Sequence, residues 1–237
     1  MVLETGSSET LPRGLEVLEM PYKFWKICDR MSTEELRPGV DIEIPVEVVS
    51  GFEDVLGELL GNGLFFNTPG TVHQLGFAIS ISNHSIVQEV LNNKDMAPRD
   101  VIKTFRANKI LSGMKIMDLG CGKPNFALAA HALGAQMYTS DVNDLKPEYK
   151  RSIERHVVID LNQHDVIEIL QDTTGGNFDL VSESIYGGVP GQSRHIKTPQ
   201  SMRIVTIGNA LLKPGGYLDY SLGVAGFKDT VLRKKLG

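Results

Sequence analysis

Three aspartates, Asp118, Asp141 and Asp160, each close a short apolar segment in the second half of the chain. Parallel strands present their carboxyl ends at one edge of a sheet, so we expect the three carboxylates to line a common cleft. Carboxylates accept hydrogen bonds and attract positive charge. The pattern therefore favours a ligand that carries hydroxyl groups, positive charge or both.

A glycine turn follows the first of these acids. Gly120 and Gly122 come directly after Asp118, and an alanine-rich helical pattern begins at Phe126. A strand, a glycine turn and a helix N-terminus together form a ligand cradle of main-chain amides. In the dinucleotide fingerprint a third glycine would stand at Asn125, and Asp118 would repel a pyrophosphate. A cationic ligand removes that conflict.

The motif Asp118-Leu119-Gly120-Cys121-Gly122 resembles the S-adenosylmethionine (SAM) pocket of class I methyltransferases. That cofactor brings an ammonium and a sulfonium to the pocket. The family usually has a further glycine where this chain has Pro124, and proline is tolerated in the first turn of a helix. The resemblance spans about Ile110 to Ser221 and implies SAM as cofactor and S-adenosylhomocysteine as product.

The resemblance assigns a role to each acid. It places Asp118 near the methionine ammonium, Asp141 on the ribose hydroxyls, and Asp160 on the adenine amine, with the Leu161 amide on a ring nitrogen. The 23 residues from Asp118 to Asp141 agree with the roughly 20-residue interval in nucleotide-binding βαβ units. The predicted cofactor-binding residues are Asp118, Gly120, Cys121, Gly122, Asp141, Val142, Asp160, Leu161, Ser182 and Glu183.

The segment from Phe178 to Tyr186 resembles the part of the family that borders the transferred methyl group. Glu183 and Tyr186 are the predicted catalytic side chains, with His195 as a candidate general base because imidazole titrates near neutrality. Two alternatives stay open, in which Glu183 only binds the cofactor ammonium and His195 is a surface residue. The glycine-rich run 187–191 could form a hinged lid.

Strands alternate with helices after residue 110, which predicts an α/β fold with a doubly wound, mainly parallel sheet and helices on both faces. The predicted strands are 115–119, 136–140, 157–159, 178–183 and 216–221, and the predicted helices are 126–133, 165–171, 200–212 and 228–236. The chain after the fifth strand is short. Either the sheet lacks its far edge, or strand-like pieces such as 41–50 and 77–81 supply it.

We expect three regions: a flexible N-terminus at 1–14, an α+β elaboration at 15–110 that caps the substrate, and a SAM-binding domain at 111–237. In the elaboration, apolar spacing predicts helices at 15–31 and 98–111 and a third from Ser82 to about Leu91. The aromatic residues Phe65 and Phe66 and the histidine His73 could contribute to the cap, although each is more often a packing residue.

Composition narrows the function. A net charge of −5 argues against a nucleic-acid partner, and only two cysteines, Cys28 and Cys121, argue against a disulfide framework. The sequence shows no signal peptide, no apolar run of transmembrane length and no metal-ligand spacing. We therefore expect a cytoplasmic enzyme that takes a small-molecule substrate and has no membrane partner and no metal; a homodimer is left open.

The function most favoured is methyl transfer to an O, N or C nucleophile of a small molecule. The asparagine-proline-proline-tyrosine signature of nucleic-acid and glutamine N-methyltransferases is absent, which disfavours those acceptors. Two alternatives retain the fold: non-methyl chemistry on bound SAM, such as cyclisation, and a non-catalytic binding subunit. An NAD oxidoreductase is a more distant alternative.

Overall fold

The computed structural model describes residues 13–19, 21, 23–31, 69–184, 199–219 and 230–236. Strands in this part of the chain are β1 (Leu15–Glu19), β2 (Lys115–Leu119), β3 (Gln136–Asp141), β4 (Arg155–Val158), β5 (Phe178–Glu183), β6 (Leu212–Asp219) and β7 (Thr230–Lys234). The helices are α1 (Lys23–Met31), α2 (Pro69–Ile81), α3 (Ser85–Asn92), α4 (Pro98–Ala107), α5 (Asn125–Ala132), α6 (Pro147–Lys150), α7 (Val166–Thr174) and α8 (Pro199–Leu211).

These strands form one mostly parallel, mixed seven-stranded sheet in the order β1-β7-β6-β5-β2-β3-β4. Strands β6, β5, β2, β3 and β4 are parallel to their neighbours, whereas β7 is antiparallel to both β6 and β1. The chain runs outward from β2 through β3 to β4, then returns to the other side of β2 with β5 and β6. This change of direction makes a switch point between β2 and β5, where open α/β sheets bind ligands.

Residues near both termini complete the far edge of the sheet. Leu15 pairs with Lys234 and Glu19 pairs with Thr230, so β1 is the edge strand beyond β7. The helices predicted over 15–31 and 228–236 are therefore wrong at 15–19 and 230–234, because pairing between distant segments overrides local periodicity. The edge does come from the N-terminal residues, although not from 77–81, and 41–50 lies outside the described residues.

A strand was predicted at 77–81, but these residues form the last part of helix α2. Phe77, Ala78 and Ile79 are all fully buried, because this helix is covered by α1 on one side and by α5 and the sheet on others. Residues 74–80 of this helix are all buried, so the apolar residues there show no helical period. The predicted strand is therefore wrong.

Elsewhere the expected elements are present with modest shifts at their ends. The predicted bounds of β2 and β5 are confirmed to the residue, while β6 begins four residues earlier than expected. The helix predicted over 98–111 ends at Ala107, and the helix predicted from Ser82 begins at Ser85, where the His84 side chain caps it.

Two hydrophobic clusters flank the sheet. In β2, Ile116 belongs to a cluster built with α1 to α5, whereas the next residue, Met117, belongs to a cluster built with α7 and α8. Adjacent strand residues point to opposite faces, so both faces of β2 are buried. The proposed boundary near residue 110 stays a prediction; β1, which precedes it, belongs to the same sheet as the later strands.

The crossing of α1 and α2 gives a test of the packing. A Cβ added at Gly76 would collide with Sγ of Cys28. We expect Gly76→Ala to lower the free energy of unfolding by about 1–3 kcal/mol, the usual cost of overpacking, measured by urea denaturation. Combining it with Cys28→Ala, which removes the opposing sulfur, should restore most of that loss. A double variant as unstable as the sum of the single variants would contradict this packing.

Candidate active site

A row of polar residues crosses the sheet near the carboxyl ends of its parallel strands. Asp118 pairs with Thr139 on one side and with Ser182 on the other, and Ser182 pairs with Asp219. Residues paired across neighbouring strands point to the same face. All four are at least 96% buried. The sheet therefore presents two carboxylates two strand spacings apart, roughly 10 Å, beneath helix α2.

The glycine turn joins this row to strand β3. Gly120 and Gly122 have φ of 64° and 49°, in the left-handed region that favours glycine. The Cys121 amide donates to the Ser140 carbonyl, and the Gly122 amide donates to Oδ2 of Asp141, both at 2.9 Å. The two amides that the sequence predicted to be free for a ligand are thus already paired, so the cradle offers its carboxylates instead.

Asp141 is held by main-chain amides and keeps capacity for a ligand. Its Oδ1 accepts from the Asn143 main-chain amide at 3.0 Å and from Nδ2 of the same residue at 3.3 Å, whereas its Oδ2 accepts from the Gly122 amide and keeps a second lone pair. Val142, the next predicted residue, is 60% exposed at the same edge. A diol from solvent can therefore reach this carboxylate.

His156, which was not predicted as a site residue, fixes the loop that carries Asp141. Its Nε2 is 3.0 Å from the Asn143 carbonyl, and its Nδ1 is 2.8 Å from Oγ1 of Thr139. A carbonyl can only accept, so Nε2 carries the hydrogen and Nδ1 accepts from the threonine hydroxyl. The buried imidazole thereby ties the loop to strands β3 and β4.

Asp160 and Leu161 lie in the loop after β4. Asp160 is exposed, and its Oδ1 accepts from the Asn162 amide at 2.9 Å. The guanidinium of Arg203, on α8, donates to the carbonyls of Leu161 and Gln163 and so anchors the loop. Arg203 was not predicted, because its contribution arises from packing between segments 40 or so residues apart.

The most constrained acid is Asp118, which is 1% exposed. Its Oδ1 accepts from Oγ of Ser184 at 2.7 Å, while its Oδ2 has no hydrogen-bond partner among the described residues. Burial raises the pKa of this carboxyl to about 8; the Ser184 hydrogen bond opposes the rise, and the charges of Glu183, Asp219 and Asp141 add to it. At neutral pH Asp118 therefore holds a proton, which an added cation would displace.

Gln74 on helix α2 organises the donors around these acids. Its Nε2 donates to Oγ of Ser182 at 2.8 Å and to Oγ of Ser184 at 2.9 Å. An amide nitrogen can only donate, so each serine hydroxyl is left to donate onward, Ser184 to Asp118 and Ser182 to Oδ2 of Asp219 at 3.4 Å. One side chain from the N-terminal half of the chain thus orients donors for two buried carboxylates.

The residue before Gln74 completes the group. Nε2 of His73 lies 3.5 Å from Oδ1 of Asp219, and 30% of the histidine side chain is exposed. Of this group the sequence predicted Asp118 and Ser182 as site residues; it raised His73 as a cap residue and missed Gln74, Ser184 and Asp219. Asp219 could have been found, because it also closes a strand at this edge.

The remaining predicted residues are placed as follows. Glu183, at the end of β5, is 5% exposed and is paired in register with Leu119. Cys121 is 3% exposed, and burial raises the pKa of its thiol, which argues against a reactive thiolate. Tyr186 and His195 lie outside the described residues. Asp118, the glycine turn, Asp141 and Ser182 meet at neighbouring strand ends; their assignment to cofactor binding stays a prediction.

Two kinds of site are not found in the part of the chain that the structure describes. There, no group of three or more His, Cys, Asp and Glu side chains is arranged to hold a metal ion. None of the helices in those ranges combines the length and apolarity needed to cross a membrane.

No protein-family model matches the sequence, and no curated protein is significantly similar to it. Among solved structures, MycE methyltransferase from the mycinamycin biosynthetic pathway, in complex with Mg and S-adenosylhomocysteine, matches with 16% identity and a TM-score of 0.34 over 76% of this chain. A candidate protein-L-isoaspartate O-methyltransferase from Plasmodium falciparum, also bound to S-adenosylhomocysteine, matches with 11% identity and a TM-score of 0.30, over 73% of this chain and 81% of its own. The chain spans less than half the length of MycE, at 43%.

The raised pKa of Asp118 predicts how stability depends on pH. An unfolded aspartate titrates near 3.8, so between about pH 4 and pH 8 the folded state binds more protons than the unfolded state, and stability falls as pH rises. Asp118→Asn removes this group. We expect the variant to become more stable than wild type by on the order of 1 kcal/mol per pH unit across that range, levelling off above pH 8, in urea denaturation. Asp172→Asn, an exposed change on α7, should show the same dependence of stability on pH as wild type. A difference in unfolding free energy between Asp118→Asn and wild type that stays constant with pH would refute the titration of Asp118.

Proposed function

We propose that this protein is a SAM-dependent methyltransferase with a doubly wound, class I methyltransferase-like fold and a small-molecule acceptor. One observation carries the proposal. Asp118 is buried within the Asp-Leu-Gly-Cys-Gly motif, at the switch point between β2 and β5, with one oxygen that has no partner among the described residues. A buried carboxyl with an open oxygen fits an ammonium donor, because the charge pair offsets the cost of burial.

The other acids supply the rest of the pocket. Asp141 would accept the two ribose hydroxyls in a bidentate contact, one on the open lone pair of Oδ2 and one on Oδ1 in place of the Asn143 side-chain amide. Asp160, held by Asn162, would accept from the adenine amine, and the loop anchored by Arg203 would present the Leu161 amide. The carboxylate at each strand end thus faces a different part of one extended cationic nucleoside.

When bound, the cofactor supplies a methyl group activated by its sulfonium. The chain supplies binding and alignment. Asp118 would give up its proton and hold the ammonium, while Gln74 keeps the Ser184 hydroxyl turned toward Oδ1 of that carboxylate. Glu183, at the end of β5, would border the methyl end of the pocket, with Tyr186 and His195 as the further predicted catalytic residues. Residues 15–110 would cap the acceptor site.

Calorimetric titration with SAM tests the ribose contact. Charge-assisted hydrogen bonds contribute about 1.5–3 kcal/mol each, so we expect Asp141→Ala to raise the Kd at least tenfold. Asp172→Asn is the control, because Asp172 is exposed on α7, outside the loops that follow β2, β3 and β4; its Kd should stay within twofold of wild type. No measurable affinity of wild type for SAM or S-adenosylhomocysteine would end the proposal. Incubation of the protein with SAM and the acceptor should then increase the mass of the acceptor by that of one methyl group.

Proton release on binding tests the role of Asp118. At pH 6.5 nearly all of its carboxyl is protonated, and an ammonium bound to Oδ2 requires the ionised form. We expect SAM binding to release about one proton, measured by calorimetry in two buffers with different ionisation enthalpies. Binding without proton release would place the ammonium away from Asp118 while leaving SAM binding itself intact.

A further inference from the structure

We propose that His73, held by Asp219, is the general base that takes a proton from the methyl acceptor, and that the acceptor atom is a hydroxyl or amine nitrogen that carries a proton at neutral pH. This inference rests on the proposed function. It assigns a catalytic residue in α2, outside the segment from Phe178 to Tyr186 in which the sequence predicted catalytic side chains. It also narrows the substrate to molecules with a hydroxyl or amine acceptor.

The geometry places the imidazole at Asp219, two strand spacings from Asp118 on the same face of the sheet. His73 precedes Gln74, whose amide is bound to Ser182 and Ser184 at the end of β5. Successive side chains on a helix point about 100° apart, so His73 is directed to the next strand, β6, where Oδ1 of Asp219 lies 3.5 Å from its Nε2. The same two hydrogen bonds that orient donors onto the acids therefore also fix the position of His73.

The two members of the pair differ in accessibility. Asp219 is 4% exposed and is contacted on its other oxygen by the Ser182 hydroxyl, whereas 30% of the His73 side chain is exposed. The ring of Phe24, on α1, packs edge-on against the imidazole at a centroid distance of 4.9 Å. A molecule that enters from solvent can reach the imidazole, while the buried carboxylate orients it and stabilises its protonated form.

The charges around this pair limit what can bind. Asp219 on β6 faces the imidazole directly, Asp118 on β2 and Glu183 on β5 stand at neighbouring strand ends, and α1 contributes the uncharged Phe24. An anionic acceptor would be repelled by the Asp219 carboxylate, whereas Asp118 adds no repulsion because it carries a proton or pairs with the cofactor ammonium. A carboxylate acceptor would also need no base, because it has already lost its proton. The site therefore suits a neutral or cationic acceptor that must lose one.

The proposed step balances. The O–H or N–H bond of the acceptor breaks, and its proton passes to His73. The electron pair left on the acceptor atom forms the bond to the methyl carbon. The electrons of the carbon–sulfur bond remain on sulfur, which becomes the neutral thioether of S-adenosylhomocysteine. The imidazolium, stabilised by Asp219, returns its proton to solvent through its exposed edge.

The first test needs no cofactor. In the cofactor-free full chain, NMR titration of the histidine ring protons, with His73 assigned through His73→Gln, gives the pH midpoint of His73. Removing the neighbouring charge with Asp219→Asn should lower that midpoint by about one pH unit, whereas the exposed change Asp172→Asn should leave it unchanged. A midpoint that does not respond to Asp219→Asn overturns the pair, whether or not the protein binds SAM.

The second test measures transfer. We expect wild type to move label from methyl-tritiated SAM into a small-molecule extract of its native cells as base-stable products: ethers if the acceptor is a hydroxyl, methylamines if it is a nitrogen. His73→Gln should reduce the rate 10²- to 10⁴-fold while the Kd for SAM stays within threefold. Label found only in base-labile methyl esters, no labelled product, or an undiminished rate in His73→Gln would overturn the inference. Failure of wild type to bind SAM would instead remove the proposed function.

Discussion

Buried carboxyl groups lie together at one edge of the sheet, and the structure around them depends on compensating their charge. Asp118, Glu183 and Asp219 are each at least 95% buried at neighbouring strand ends. Buried carboxylates are costly unless donors, cations or protons compensate them. The chain compensates with serine hydroxyls oriented by Gln74, with His73 beside Asp219, and with a proton on Asp118. The placement of α2 over this edge is thus an electrostatic requirement as well as a packing one.

That compensation is incomplete at one atom. Oδ2 of Asp118 has no partner within the described ranges, although buried polar atoms are almost always hydrogen-bonded in folded proteins. A neutral residue at this position would remove the burial cost, so an acid here fits a site that receives a positively charged group. Stability given up at a buried site is the usual sign of a binding function.

Sequence patterns located the parts of this site that depend on local structure. Apolar runs that end in a turn or an acid predicted the bounds of β2 and β5 and the positions of Asp118 and Asp141. Such runs depend on residues that are neighbours in the sequence. Pairing of β1 with β7 joins residues more than 200 positions apart, and residues 74–80 of α2 are all buried, so neither has a local signature. Gln74, His156 and Arg203 were missed for the same reason, because each acts on a loop or strand distant in sequence.

The edge strand of the sheet and the helix that covers the site are connected through packing contacts. Strand β1 is held by β7 and leads within four residues into α1, and α1 packs closely on α2 at Gly76. Helix α2 in turn carries the two side chains that reach Ser182 and Asp219. Packed helices and paired strands resist continuous deformation. The pairing of β1 with β7 therefore helps to position α2 over the strand ends, through the contact between α1 and α2. An edge strand supplied from the N-terminal side therefore connects the far border of the sheet to the acids at its centre.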